Sequence, residues 1–375
     1  MVYFDNGATS YYKPPEVIGA VNTALKHLSA NAGRAGHALS ARCAALVLRA
    51  RERAAAMFGC PSPERVIFCH NCTDALNTAI FGYVKGGHVI ITALEHNSVL
   101  RPLHELERTG KIKLTVLIPN FWGIITAATV ENALTRDTSM VAVTHVSNVT
   151  GAVNPVAEIG ALTSKRGIPL LVDAAQSAGY LPINMVEMGI DFLALAPHKG
   201  LHAPQGVGVL LMGSKYDLLP VRYGGTGTSS KSLYQPADYP ESLESGTLPL
   251  PAIAGFTSAL AYTAKHSAGH HARIAALSQR LDERLNGLRK VTRYNPKNSL
   301  SSLFTFNIGD YYSGEVCDIL SEQYNICARG GLHCAPLSHK HLGTLERGAV
   351  RVTLGVDNTE SDIDYLITAL QEIEN

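Results

Sequence analysis

The chain has 375 residues, 32 basic against 31 acidic for a net charge of +1, with 46% hydrophobic and 17% charged positions. That balance argues against nucleic-acid binding and against adhesion to an anionic membrane, and no apolar run reaches the length of a membrane span. Seven cysteines scattered along the chain fit free thiols in a reducing compartment, and a start without basic and apolar signal regions points to the cytoplasm.

Residues 2–4 read as a short strand and the four residues from Asp5 as a tight turn. Pro14 and Pro15 open a helix, with Val17, Ile18, Val21, Leu25 and Leu28 predicted on one face. The loop from Asn31 to His37 reads either as a segment that approaches an anion or as a polar connector. Cys43, Leu46, Val47, Ala50, Ala54 and Met57 form the apolar face of a long helix.

From residue 65 to about 211 strand-like and helix-like segments alternate. The strand-like runs are Val66–Cys69, His88–Thr92, Lys113–Ile118, Met140–Thr144, Pro169–Val172, Phe192–Ala196 and Val207–Leu211. Such alternation predicts an α/β fold, a mainly parallel sheet with helices on both faces. Ligands in such sheets sit at the carboxyl ends of the strands, and those ends are where the polar residues fall.

Cys69-His-Asn-Cys72 leads into Thr73. The cysteine spacing suits a redox or zinc reading, but no second pair follows at zinc spacing. Its other reading is a strand followed by a helix N-terminus, where backbone N–H groups and Thr73 hold a phosphate or Thr73 merely caps the helix. His96 follows the next strand, as a ring to stack on a flat group, an acid or base, or a polar residue at a helix start. Asn148 follows another strand, and Asp173 closes a buried run, where a carboxylate needs a positive partner. Lys199, in Leu195-Ala-Pro-His198-Lys199-Gly, stands in a turn between two apolar runs. A lysine there can be desolvated, as an amine that forms a Schiff base must be, or it is an ordinary surface residue. Phosphate cup, ring stack, pyridinium counter-ion and Schiff-base amine are together the parts of a pyridoxal phosphate site.

Residues 222–250 read as an extended irregular segment, and 224–230 is a glycine-rich stretch able to hold an anion. Helices are expected near 250–266 and 270–289, then strands near 302–307 and 349–354 with helices near 313–323 and 359–373. Cys334 lies between these, beside His333 and five residues after Arg329; positive charge there favours a nucleophilic thiolate, against the readings of a structural cysteine or a metal site with His333, His339 and His341. Arg351 suits bidentate pairing with a carboxylate.

Leu195-Ala-Pro-His198-Lys199-Gly, Leu171-Val-Asp173-Ala-Ala-Gln176 and Arg329-Gly-Gly-Leu-His-Cys334-Ala-Pro together resemble the class V aminotransferase family, and within it the cysteine desulfurases and selenocysteine lyases. The resemblance runs in order from Asp5 to Arg351. It implies fold type I of the pyridoxal 5'-phosphate enzymes: a seven-stranded, mainly parallel sheet in a large domain (15–255), and a smaller α+β domain (1–14 and 256–375) that carries the cysteine loop. It also implies a homodimer. By matching position, Lys199 is the Schiff-base lysine, Asp173 the pyridinium partner and His96 the stacking ring. Asn148 and Gln176 bond the ring-oxygen region. Thr73 and His198 hold the phosphate, with Thr247 reaching across from the other subunit. Arg351, Arg329 and Asn31 serve the substrate, and Cys334 forms the persulfide.

The implied reaction turns L-cysteine into L-alanine and passes sulfur to an acceptor protein. Selenocysteine lysis, another pyridoxal-phosphate reaction independent of Cys334, and a carrier without turnover are the alternatives. Two positions depart from the family pattern. Ala196 stands where a hydroxyl usually serves the phosphate, a bond that the 224–230 loop or His202 would have to supply, and Leu332 replaces a histidine.

Overall fold

The computed structural model describes residues 1–33, 36–121, 123–296 and 301–375; Arg34, in the loop after Asn31, lies outside them. Its strands are β1 (Val2–Tyr3), β2 (Val66–Cys69), β3 (His88–Thr92), β4 (Lys113–Leu117), β5 (Thr138–Thr144), β6 (Leu170–Asp173), β7 (Phe192–Leu195), β8 (Gly208–Met212), β9 (Val291–Arg293), β10 (Leu303–Ile308), β11 (Ile326–Cys327) and β12 (Val350–Thr353). Its helices are α1 (Pro15–His27), α2 (Ala38–Phe58), α3 (Cys72–Tyr83), α4 (Asn97–Arg108), α5 (Ala127–Ala133), α6 (Val156–Arg166), α7 (Leu250–Leu285), α8 (Ser313–Tyr324), α9 (Pro336–Leu342) and α10 (Glu360–Glu374).

Seven strands form one sheet in the order β2-β8-β7-β6-β5-β3-β4. The pairs from β4 through β3, β5 and β6 to β7 are parallel, and β8 runs antiparallel to both β7 and β2. Two reversals leave β2 running with β7, so the carboxyl ends of β2, β3, β5, β6 and β7 share one edge. Every residue of β3 and β8 is buried, because helices cover both faces; such strands read as unbroken apolar runs. On one face Phe68 and Leu193 pack with Val47 of α2 and Phe256 of α7. On the other Ile67 and Ile91 pack with Leu76 of α3 and Leu103 of α4.

A second, antiparallel sheet, β12-β10-β9, shares a third core with α8, α10 and the far half of α7, through Leu281, Phe306 and Leu366. The N-terminus joins it: Phe4 lies in this core, and β1 pairs in parallel with β11.

Two expectations are corrected. Residues 250–285 form one helix, not two. Gly269 faces open space and costs about 1 kcal/mol inside a helix. Burying Phe256 and Leu260 at one end and Leu277 and Leu281 at the other contributes roughly 1.5–3 kcal/mol per side chain, so the helix continues. Ile18 and Leu25, expected on the packed face of α1, are 51% and 56% exposed; Val17 and Ala24 are the buried pair.

Candidate active site

The shared strand edge opens into a cavity of about 240 Å³ whose wall includes Thr73, His96, Asn148, Asp173, Gln176, His198, Lys199, Arg329, His333 and Arg351. Nine of these ten were expected at a cofactor or substrate site, Gln176, His198 and Arg329 among them through the family resemblance; His333 is the addition.

Asp173 ends β6 and is 5% exposed. Its Oδ1 accepts the Ala175 N–H at 2.8 Å and faces the Cys72 thiol at 3.9 Å. Burial raises its pKa, opposed by the Ala175 bond and the Lys199 charge. Burial likewise pushes the Lys199 amine down, against the pull of Asp173. The lysine is therefore a readier base than one in water, and the cavity holds a carboxylate suited to a cationic ring nitrogen.

The lysine turn is held from the N-terminus, a feature without local signal in the sequence. The His198 carbonyl accepts from Ser10 N at 3.0 Å, Ser10 Oγ at 3.0 Å and Lys13 Nζ at 3.2 Å. The His198 ring meets Thr9 Oγ1 at 3.1 Å, and burial holds its pKa down to about 4. Gln176 donates to Gly7 O at 2.9 Å.

Asn71 caps α3, accepting the Asp74 N–H at 2.9 Å, and so turns the helix start toward the cavity. A side chain on Gly208 of β8 would meet the Asn71 backbone within 2.2 Å; glycine lets strand and helix start touch. Thr73 Oγ1 lies 2.7 Å from Ser98 Oγ, and Ser98 Oγ lies 2.8 Å from His96 Nδ1. Burial, then the Lys199 charge, depresses His96 to about 4.

Arg351 is 2% exposed. It donates to Asp5 Oδ1 at 3.0 Å and to Asn148 O at 3.0 Å, and its backbone pairs with that of Arg329. Arg329 has no carboxylate partner among the described residues.

Cys334 is exposed and stands beside the cavity wall rather than in it. His333 and Cys334 have φ of 50° and 58°, a left-handed conformation that is strained for such residues. Asn148 Nδ2 donates to His333 O at 2.6 Å and Asn97 N to Cys334 O at 2.7 Å, pinning the loop. Burial drives His333 well below the ordinary histidine pKa, so it is neutral; the positive neighbour expected beside Cys334 is not this histidine.

Three expected residues lie elsewhere in the chain. Asn31 lines a separate cavity of about 260 Å³ with Arg51, Thr226, Glu244 and Gly246. Thr247 follows Gly246 at its rim, on a loop anchored by the buried Arg51–Glu244 pair at 2.6 Å. His202 is buried against Tyr12 O at 3.2 Å, and the 224–230 loop lines a surface cavity of its own; neither reaches the Lys199 cavity in this chain. The Cys69-x-x-Cys72 pair divides its tasks: Cys69 is sealed in β2, while Cys72 lines the cavity.

The fold and cavity define an α/β enzyme whose buried lysine and carboxylate stand at the ends of adjacent parallel strands. The aminotransferase class-V family model matches residues 2–366, and the chain belongs to that family. A probable cysteine desulfurase of Methanothermobacter thermautotrophicus is 31% identical over 99% of this chain and 94% of its own. A cysteine desulfurase of Escherichia coli is 29% identical over 100% and 93%. The apo structure of a cysteine desulfurase from Thermococcus onnurineus superposes with a TM-score of 0.92 at 30% identity, covering 99% of this chain and 94% of that one. Among the described residues no helix is long and apolar enough to cross a membrane.

Proposed function

We propose that this chain is a pyridoxal 5'-phosphate-dependent cysteine desulfurase of the cytoplasm, working as a homodimer and handing the sulfur of L-cysteine to an acceptor protein. The observation that carries the reading is an exposed cysteine on a pinned loop whose neighbour, His333, lines the same cavity as Lys199 and Asp173. The division expected from the sequence suits it, with residues 15–255 forming the cofactor domain and 1–14 with 256–375 carrying the cysteine loop.

The residues present fit the cofactor. Asp173 would hold a protonated ring nitrogen, His96 would stack, and Asn148 and Gln176 would meet the ring-oxygen region. His198 and the start of α3 would take the phosphate, with Thr247 and the Asn31 cavity belonging to the two-subunit site. When bound, the group supplies an aldehyde carbon for amine condensation and a sink for electrons.

Lys199 Nζ would hold the cofactor, and its free amine takes the Cα proton; burial lowers the amine's pKa and so favours the unprotonated form that this needs. Arg351 and Arg329 clamp the substrate carboxylate. The Cys334 thiolate attacks the substrate sulfur: an S–S bond forms, the C–S bond breaks, and its electron pair stays with the carbon fragment, which takes up protons to become alanine. The persulfide stays on Cys334, where exposure opens it to an acceptor.

Alanine release from L-cysteine, with a thiol present, tests this on wild type, Cys334→Ala and Lys199→Ala. Wild type is expected to turn over, Lys199→Ala to be inactive, and Cys334→Ala to bind cofactor while losing alanine formation by at least 10²-fold. Full activity in Cys334→Ala, or none in the cofactor-loaded wild type, overturns the reading.

A further inference from the structure

His96 is held in a single protonation form by its neighbours. Its Nδ1 accepts the backbone N–H of Ser98 at 3.1 Å, so this nitrogen bears a lone pair. The Ser98 hydroxyl, 2.8 Å from the same Nδ1, must then donate to it. Having given its own proton, Ser98 Oγ accepts from the Thr73 hydroxyl at 2.7 Å. A neutral imidazole has one N–H, which therefore sits on Nε2, a nitrogen without a protein partner among the described residues. Ser98 is 7% exposed, and Asn77 Nδ2 reaches both Thr73 O at 2.8 Å and Ser98 O at 3.4 Å, bolting the starts of α3 and α4 together.

We propose that Ser98, backed by Thr73, is a positioning residue that fixes His96 as the Nε2–H form, so that His96 meets the substrate as a hydrogen-bond donor and not as a proton acceptor. The groups charged toward His96 are Lys199, Arg329, Arg351 and Arg101, all cationic, and each disfavours a second proton on the ring. Two consequences follow for the chain's own chemistry. Proton removal at Cα falls to Lys199 alone. The Thr73 hydroxyl proton is committed to Ser98, so an anion at the start of α3 is met there by backbone N–H groups.

The proposal rests on the desulfurase reading only for the identity of the substrate. Its test is the ¹⁵N spectrum of histidine-labelled, cofactor-loaded protein, with the His96 signals identified by their loss in His96→Gln. Wild type is expected to show one Nε2–H form, unchanged from pH 9 to pH 5. Ser98→Ala is expected to raise the His96 protonation midpoint by about half to one pH unit, the effect of one lost hydrogen bond. It should also lower kcat on L-cysteine about five-fold with KM within two-fold, and Ser98→Thr should restore both. Thr73→Val, one bond further back, should move the midpoint the same way by less, and it carries the test if Ser98→Ala fails to fold. A wild-type proton on Nδ1, or a midpoint unmoved in the variants, overturns the proposal. If the spectra behave as expected while wild type releases no alanine, the desulfurase reading fails and the assignment to Ser98 stands.

Discussion

Asp5, in the turn after β1, accepts from Arg351 of β12 at 3.0 Å, an ion pair between residues 346 positions apart. Among the described residues it is the one carboxylate partner of a guanidinium that is 2% exposed, and Asp5 itself keeps 21% of its side chain in water. Burial lowers the Arg351 pKa and Asp5 opposes this. Asp5→Asn should therefore leave a buried cation underpaired. The expected loss is roughly 2–3 kcal/mol, between the exposed and the fully buried ranges, read as a lower urea midpoint with unchanged slope. An unshifted midpoint would show that Asn148 O alone satisfies Arg351.

Gly208→Ala tests the seat of the proposed phosphate end. The added carbon would meet the Asn71 backbone within 2.2 Å, and neither β8 nor the capped start of α3 can retreat freely. The cost should be about 1–3 kcal/mol, with pyridoxal phosphate affinity falling as the helix start is displaced. Equilibrium dialysis on the variant checks the second effect separately from the first; loss of stability with unchanged affinity would place the anion elsewhere.

Most of this architecture was legible because the strands of the large sheet are buried on both faces, which writes them as apolar runs, and because each chemical group follows directly on a strand end. Asp173 and Lys199 are the clearest cases. What was not legible depends on contacts distant in sequence. Nothing local in Thr9, Ser10 or Lys13 announces that they close around the His198 carbonyl nearly 190 residues away. His333 reads as a polar neighbour of Cys334, and its burial, which nothing local signals, holds its pKa well below the ordinary histidine value. Ser98 looks like an ordinary helix-start serine until Thr73 and His96 are seen on either side of it.

Acid should unfold the protein through its buried histidines. His145, His202 and His339 are 5%, 2% and 0% exposed, and burial, the first cause for each, lowers them from 6.5 to about 4. A histidine depressed in the folded state binds its proton more readily when unfolded. Its contribution is therefore fully present above pH 6.5 and is lost as pH falls through about 4. These three histidines should leave the urea midpoint level above pH 6.5 and pull it down steadily from there to pH 4, a trend best read in the Glu95→Gln background. His339→Asn, whose amide oxygen can replace Nδ1 toward Thr344, should make that decline shallower; an equal slope would remove His339 from the account.

Glu95 has the opposite sign. It is 0% exposed, and its Oε1 accepts from Thr92 Oγ1 at 2.6 Å and Thr144 N at 2.8 Å. Its Oε2 is buried with no hydrogen-bond partner among the described residues. Burial raises its pKa from 4.5 to about 8, with Asp173 adding to the rise. A carboxyl raised on folding favours the folded state fully below pH 4.5, and that contribution is lost as pH rises through about 8. Glu95→Gln keeps the neutral shape and both accepted bonds at every pH. The variant should match wild type near pH 5 and gain on it progressively, by on the order of 4 kcal/mol at pH 8. A difference that stays constant with pH would mean Glu95 is ionised when folded. Two negative charges, Glu95 and Asp173, would then lie close enough to raise each other's pKa. A widening difference means that Glu95 enters the fold neutral and leaves Asp173 without a second charged carboxylate beside it.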